Sequence, residues 1–211
     1  MYNPPAFRED RPEVLGEIIR AARLALLVSA AADGGAPDAT HLPMTFVPGE
    51  GPHGTLYGHV ARANPHWRGL AAAGAARAIF SGPEAYVSPS LYPSKQEHGR
   101  VVPTWNYVAV HAIGPVELVE DAVGLHAIVS RLTQQHETPR AAPWAVTDAP
   151  DAFVAAQLKG IVGIVLRIET LIGKRKLSQN RAEADREGVV AGLSASAEPA
   201  DRAVADAMRG G

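Results

Sequence analysis

The sequence predicts an α+β protein built on a closed or nearly closed antiparallel β-barrel, with helices inserted between its strands. Three observations carry this. Five or more apolar segments of strand length follow one another in hairpin-like succession. Segments of helical periodicity interrupt them. The 20 glycines and 17 prolines of the 211 residues sit mostly between apolar runs, where turns are needed. Hydrophobic residues make up 46% and charged residues 20%, which is enough to bury a real core. No internal repeat or linker-like break is present. One domain is expected over 1–211, with a helical extension from about residue 178 onward.

Each element has a local reason. Asp10 and Glu13 stand at capping-box spacing, with Pro12 in the first turn and Val14, Leu15, Ile18, Ile19 and Ala22 as the apolar face of a helix. LALLVSA (24–30) reads as a buried strand, and Asp33-Gly34-Gly35 as a hairpin turn. The return strand is expected from about Ala36 to Val47, with Thr40, Leu42, Met44 and Phe46 on one face and Ala39, His41 and Thr45 on the other. GEGPHG (49–54) has the spacing of a dinucleotide fingerprint, but Pro52 removes a donor and a strand, not a helix, follows; a hairpin loop is expected. Strand 55–61 leads to Asn64, which caps a short helix with Pro65 at its first position, Trp67, Leu70 and Ala71 toward the core, and Gly74 at its end.

A further strand is expected to turn at Gly82-Pro83, and 89–100 reads as a polar loop. Residues 101–119 form a long strand bent at Gly114-Pro115. Asp121 opens a helix with Leu125, Ile128, Val129 and Leu132 on one face. An irregular stretch and the short helix DAFVAAQLK precede strand 161–171, which is apolar on both faces in its first half and so central to a sheet. GKRKLSQNR (173–181) reads as a polar segment leading into a helix that ends near Gly192, and AEPADRAVADAMR as a frayed terminal helix.

Composition narrows the function. With no cysteine, disulfides, zinc–thiolate sites, iron–sulfur clusters and a thiol nucleophile are excluded. The formal net charge of −2 argues against a broad basic surface for nucleic acid. No basic start followed by an apolar run and no apolar run near the ~20 residues of a bilayer span occur, so the expectation is a soluble cytoplasmic protein without a membrane partner. No G-x-S-x-G or H-E-x-x-H is present, and neither a metal site nor a nucleophile is assigned.

Four polar clusters interrupt apolar strands: Thr40-His41; His59, Arg62 and Asn64; Thr104, Trp105, Asn106 and Tyr107 with His111; and Lys174, Lys176, Ser178, Gln179, Asn180 and Arg181. An Asn between a Trp and a Tyr in a strand needs a partner for its amide. Together these residues suit a planar heteroaromatic ligand with a phosphate tail: cations for phosphate, amides for ring edges, aromatic faces for stacking. Each has a structural alternative. The histidines can be satisfied core residues, Asn64 a helix cap, Trp105 and Tyr107 core aromatics, and the Lys174–Arg181 run a solvated loop.

Read in order, MYNPPAF, ATHLP (39–43), GHVARANPHW (58–67), VSPSLYPSK (87–95), VVPTWNYVAVH (101–111), LTQQHE (132–137), PWAVTDAP (143–150), GIVGI (160–164) and KLSQNR (176–181) resemble the PaiB family of FMN-binding negative transcriptional regulators. The resemblance spans nearly the whole chain. It implies the FMN-binding split β-barrel shared with pyridoxamine-phosphate oxidases, and a homodimer with flavin in the groove between subunits. By motif, Thr40, His41, His59, Arg62 and Asn64 would lie along the phosphate and ribityl chain, with Arg62 on the phosphate. Thr104, Trp105 and Asn106 would lie near the ring, and Lys176, Gln179 and Arg181 would add contacts. Two departures stand out: Leu91 and Arg175 occupy positions where the family carries Trp. Besides regulation, the resemblance leaves open a flavin-dependent oxidoreductase acting on a small substrate, a haem-binding or haem-degrading protein, and a flavin-binding module without turnover.

Overall fold

Proline and glycine decide where the strands of this chain change sheet. Pro43 has no N–H to donate, and the return strand expected over 36–47 breaks there into β3 (Asp38–Leu42) and β4 (Met44–Val47), which join different sheets. The alternation survives the break: Leu42, Met44 and Phe46 are buried, while Ala39 and His41 are exposed. The computed structural model describes residues 1–31 and 33–210. The chain divides into two compact units, the first made of residues 1–15, 81–110 and 172–211, the second of 16–80 and 111–171.

In the second unit, β2 (Ala25–Ser29) pairs antiparallel with β3, Ala25 opposite Leu42 and Ser29 opposite Asp38. On its other side it pairs with the first half of β6 (Ala76–Val87), Leu26 opposite Ile79. A second antiparallel sheet has the order β4–β5–β9–β8, with β5 (Thr55–Ala61), β8 (Val116–Val119) and β9 (Ile161–Arg167). As expected of a central strand, β9 is buried from Val162 to Leu166. Its Val165 packs with Ile128 and Leu132 of α4 (Ala122–Glu137), which Asp121 caps by accepting from the Gly124 N–H. The 49–54 segment is the β4–β5 hairpin loop, with Gly51 and Gly54 at φ +86° and +89°, so no phosphate cradle opens a helix there. Helix α1 (Pro12–Ala21) buries Leu15 and Ile19. Helix α2 (His66–Ala73) buries His66 and Leu70, not Ala71; Trp67 is half-buried.

In the first unit the strand order is β1–β10–β7–β6, with β1 (Arg8–Glu9), β10 (Thr170–Lys176) and β7 (Thr104–Gly114). Four readings change here. Strand β6 runs straight through Gly82-Pro83 instead of turning. The phase of burial shifts across that pair, from Ala76, Ala78 and Phe80 to Ala85 and Val87, as an inserted residue in a strand produces. The strand expected over 161–171 divides into β9 and the start of β10, and residues 173–176, expected to open a polar segment, continue β10, because their lysines are held by rings and carbonyls. The 89–100 loop contains a helical turn and α3 (Ser94–His98), whose Ser94 N–H and Oγ both donate to the buried Asp185 carboxylate of α6 (Glu183–Ser194). The last helix, α7 (Pro199–Arg209), is packed and not frayed: Val204, Ala205 and Met208 are buried with Val189 and Leu193 of α6.

Candidate functional site

The sequence-predicted residues fall into two clusters, one in each unit. In the second unit, the segment leaving β5 is pinned by Arg62. Its Nε donates to the Lys159 carbonyl at 3.0 Å, one terminal nitrogen to the Ile161 carbonyl at 3.0 Å, and the other to the Glu120 carboxylate at 2.6 Å. Trp67 Nε1 donates back to the Arg62 carbonyl at 2.9 Å. Three of the five guanidinium donors are thus committed to holding β5 against the turn into β9.

Thr40 and Asn64 are brought together by a residue the motif reading passed over, His66. Thr40 Oγ1 lies 2.8 Å from His66 Nδ1, Ser29 Oγ lies 3.0 Å from Nε2, and Asn64 Nδ2 donates to Thr40 Oγ1 at 3.2 Å. Asn64 Oδ1 accepts the His66 N–H at 3.0 Å, which is the cap expected of it. One proton order satisfies every member. Asn64 donates to Thr40, Thr40 to Nδ1, Nε2–H to Ser29, and Ser29 to the Ala30 carbonyl at 3.4 Å. In this order His66 is a neutral imidazole, in keeping with its burial, which pushes its pKa down. The only signals in sequence were a lone serine in an apolar strand and the second histidine of GHVARANPHW.

The other histidines do not converge. His41 is exposed on β3 opposite Leu26. His59 on β5 and His111 on β7 each have a ring Nδ1 sealed from solvent with no partner among the described residues. Burial lowers the pKa of His59; burial first, and then the Arg77 charge, push His111 down to about 4. Both are neutral at pH 7. Among the described residues no group of three or more His, Asp or Glu is placed to hold a metal ion.

In the first unit, β10 and the turn after it deliver the second cluster. Lys176 Nζ donates to Thr104 Oγ1 at 2.6 Å and to the Trp105 carbonyl, and lies 5.9 Å from the Phe7 ring centre. Lys174 is 5% exposed; its Nζ donates to the Tyr2 carbonyl at 3.0 Å between the rings of Tyr2 and Tyr107, at 5.5 and 5.0 Å. The Arg181 guanidinium stacks on Tyr92 at 4.9 Å. None of these three cations has a carboxylate partner among the described residues. Burial first, then the Lys174 and Arg181 charges, lower the pKa of Lys176.

Asn106 is fully buried and exchanges hydrogen bonds with Ser178, at 3.0 and 3.2 Å. Gln179 turns back on its own strand end, accepting from the Leu177 N–H at 2.7 Å and donating to the Arg175 carbonyl at 2.5 Å. Trp105, half-exposed, meets the equally exposed Tyr86 edge to face at 6.0 Å. The sequence reading left out Tyr2, Phe7 and Tyr86, whose ring character gave no sign of proximity to these strands. The two departures from the family pattern are both occupied structurally. Arg175 spends its charge on Glu9 at 3.5 Å and donates to the Ala207 carbonyl at 2.8 Å. Leu91 lies over Gly188 and Gly192 of α6, where a Cβ would stand 2.2 and 2.3 Å from Leu91 atoms.

Comparison with known proteins adds three findings. Residues 1–170 match the family described as "Putative FMN-binding domain". The chain is 32% identical over 208 residues to the protease synthase and sporulation protein PAI 2 of Bacillus subtilis, an alignment covering 99% of this chain and 96% of that one. Among solved structures it is similar to an FAD and haem binding protein from Mycobacterium smegmatis, with TM-score 0.55, 19% identity and coverage of 88% and 80%. A conserved hypothetical protein from Mycobacterium tuberculosis is also similar, with TM-score 0.60, 11% identity and coverage of 87% and 95%. At such identities these two likenesses are of fold.

Proposed function

The chain belongs to the PaiB family of FMN-binding domains and has the split-barrel fold, and from that membership we propose that it is a flavin-dependent regulatory protein whose first-unit cations hold the cofactor's phosphate. One observation carries the assignment. Lys174, Lys176 and Arg181 stand together with no carboxylate partner among the described residues, and burial first, then the repulsion from the other two charges, weakens the hold of Lys176 on its proton. A bound phosphate relieves that repulsion and favours the charged form. The group fits the donors present: three cations for the anion, and the half-exposed Trp105 and Tyr86 rings as a face for a flat heterocycle. The Thr104 hydroxyl orients Lys176.

In the second unit, His41 is exposed on β3. Thr40 and Asn64 position that strand through His66, and Arg62 keeps its neighbour in place. A bound flavin supplies reversible hydride and single-electron chemistry; the protein's part is to bind, orient and shield it. The flavin groove is completed by a second copy of the chain. The name of the Bacillus relative supports a regulatory role. With a net charge of −2, that role is exercised through a ligand-dependent change and not through a broad basic surface. Reduction of a small substrate by the flavin is the enzymatic form of the same reading.

Haem is the second reading, supported by the mycobacterial flavin and haem binder of similar fold. His59 and His111, neutral and with an unpartnered ring nitrogen, are the chemically suited ligands.

Fluorescence titration with FMN and with riboflavin tests the phosphate assignment. Lys176→Met is expected to weaken FMN by about tenfold or more while leaving riboflavin, which lacks the phosphate, unchanged. Arg62→Met is expected to lower the melting temperature more than the FMN affinity. Equal FMN affinity for Lys176→Met and the parent protein sinks the assignment. An absorption spectrum after adding haemin decides the second reading.

A further inference from the structure

The second unit carries a feature that the flavin assignment does not use. On the outward face of β2, Leu26 stands between His41 and Ile79, and Val28 between Ala39 and Arg77. A cleft of about 430 Å³ opens on this face, walled by Val28, Pro37, Ile79 and Ile113, with Arg77 as its one charged lining residue. That volume falls within the range of small-ligand sites, roughly 300–1,000 Å³. Arg77 makes no ion pair among the described residues. An unneutralised guanidinium beside aliphatic walls is the arrangement that recognises a small anion with an apolar body. A single planar fork matches one carboxylate, and the lining offers no second cation for a dianion.

We propose that this cleft is a binding site for a small amphipathic carboxylate, its head on Arg77 and its aryl or alkyl body between Val28, Pro37, Ile79 and Ile113. The site is independent of the flavin assignment. His111 is its built-in reporter: Arg77 is one of the charges that disfavour its protonation. An anion seated on Arg77 cancels that effect, so the His111 midpoint rises on binding.

Calorimetric titration of the full chain with benzoate, and with benzamide as the uncharged isostere, tests this. The expected result is saturable benzoate binding, benzamide at least about tenfold weaker, and a loss of about tenfold or more in Arg77→Met. Arg77→Lys, which keeps the charge without the fork, is expected to fall between, and guards against a fold defect in the methionine variant. In parallel, the NMR titration of His111 shifts upward with benzoate in the parent protein and not in Arg77→Met. Equal affinity for benzoate and benzamide, an unmoved His111, or no saturable binding overturns the proposal. So does a sedimenting dimer that Ile79→Asp dissociates and that excludes benzoate, since the face is then covered by a second copy.

Discussion

Asn106 is buried to the last atom, and its amide is answered by one serine that the chain bends to deliver. Ser178 sits at φ +65°, a left-handed conformation that costs a non-glycine residue about 1 kcal/mol or more. The cost is offset by two hydrogen bonds in a site closed to water. Asn106→Leu is expected to destabilise by about 1–3 kcal/mol in urea unfolding, because the Ser178 hydroxyl is left unpartnered. Ser178→Gly is expected to lose less, since glycine relieves the strained φ while losing the bonds. The need for a partner at Asn106 was legible from its place between Trp105 and Tyr107. The partner was not, because it lies 72 residues away and only the fold joins them. His66 was missed for a related reason: a histidine satisfied by two hydroxyls leaves no local pattern.

At the scale of elements, most strands and helices follow from periodicity and caps, and each failure has its own local cause. Residues 173–176 of β10 carry the sequence pattern of a polar segment, and the rule of polar residues outward fails there because the lysines are held by aromatic rings and carbonyls. Strand β6 was given a turn because Gly-Pro usually marks one; here it marks a slip of one residue in phase. The contact with α6 gives Leu91 its place. The notch made by Gly188 and Gly192 is filled by leucine. Leu91→Trp, which restores the family residue, is expected to overpack this notch and cost about 1–3 kcal/mol in thermal unfolding. A gain in stability there would mean that α6 gives way, and that the leucine is no adaptation to the notch.

Across the molecule the two units answer to acid at different points. The second unit keeps His59, His66 and His111 neutral, each with its pKa below the ordinary value, His111 at about 4. Their folded-state preference is intact above pH 6.5 and is lost as pH falls from there toward 4, because the unfolded chain binds protons the folded one refuses. In the first unit, Glu9 is buried between Arg11 and Arg175. The Arg11 hydrogen bond holds its carboxyl at about 2. Its contribution is present above the ordinary carboxylate value, about 4.5, and is lost progressively as pH falls from there toward 2. Hydrogen exchange at pH 5, compared with pH 7 after correction for intrinsic rates, is expected to show loss of protection in β2, β5 and α2 while β1 and β10 stay protected. Uniform loss in both units would refute this order.

The proton order around His66 carries a further consequence. A hydrogen-bond chain with a single direction makes its two ends unequal. Ser29→Ala removes the acceptor of Nε2–H, but a tautomer shift that moves the proton to Nδ1 finds a new acceptor in Thr40 Oγ1, whereas Thr40→Val removes the donor to Nδ1, and the same shift only turns an N–H against valine. The network therefore behaves as a rectifier: damage at its serine end is passed along the ring to Thr40, and damage at its threonine end stays where it falls.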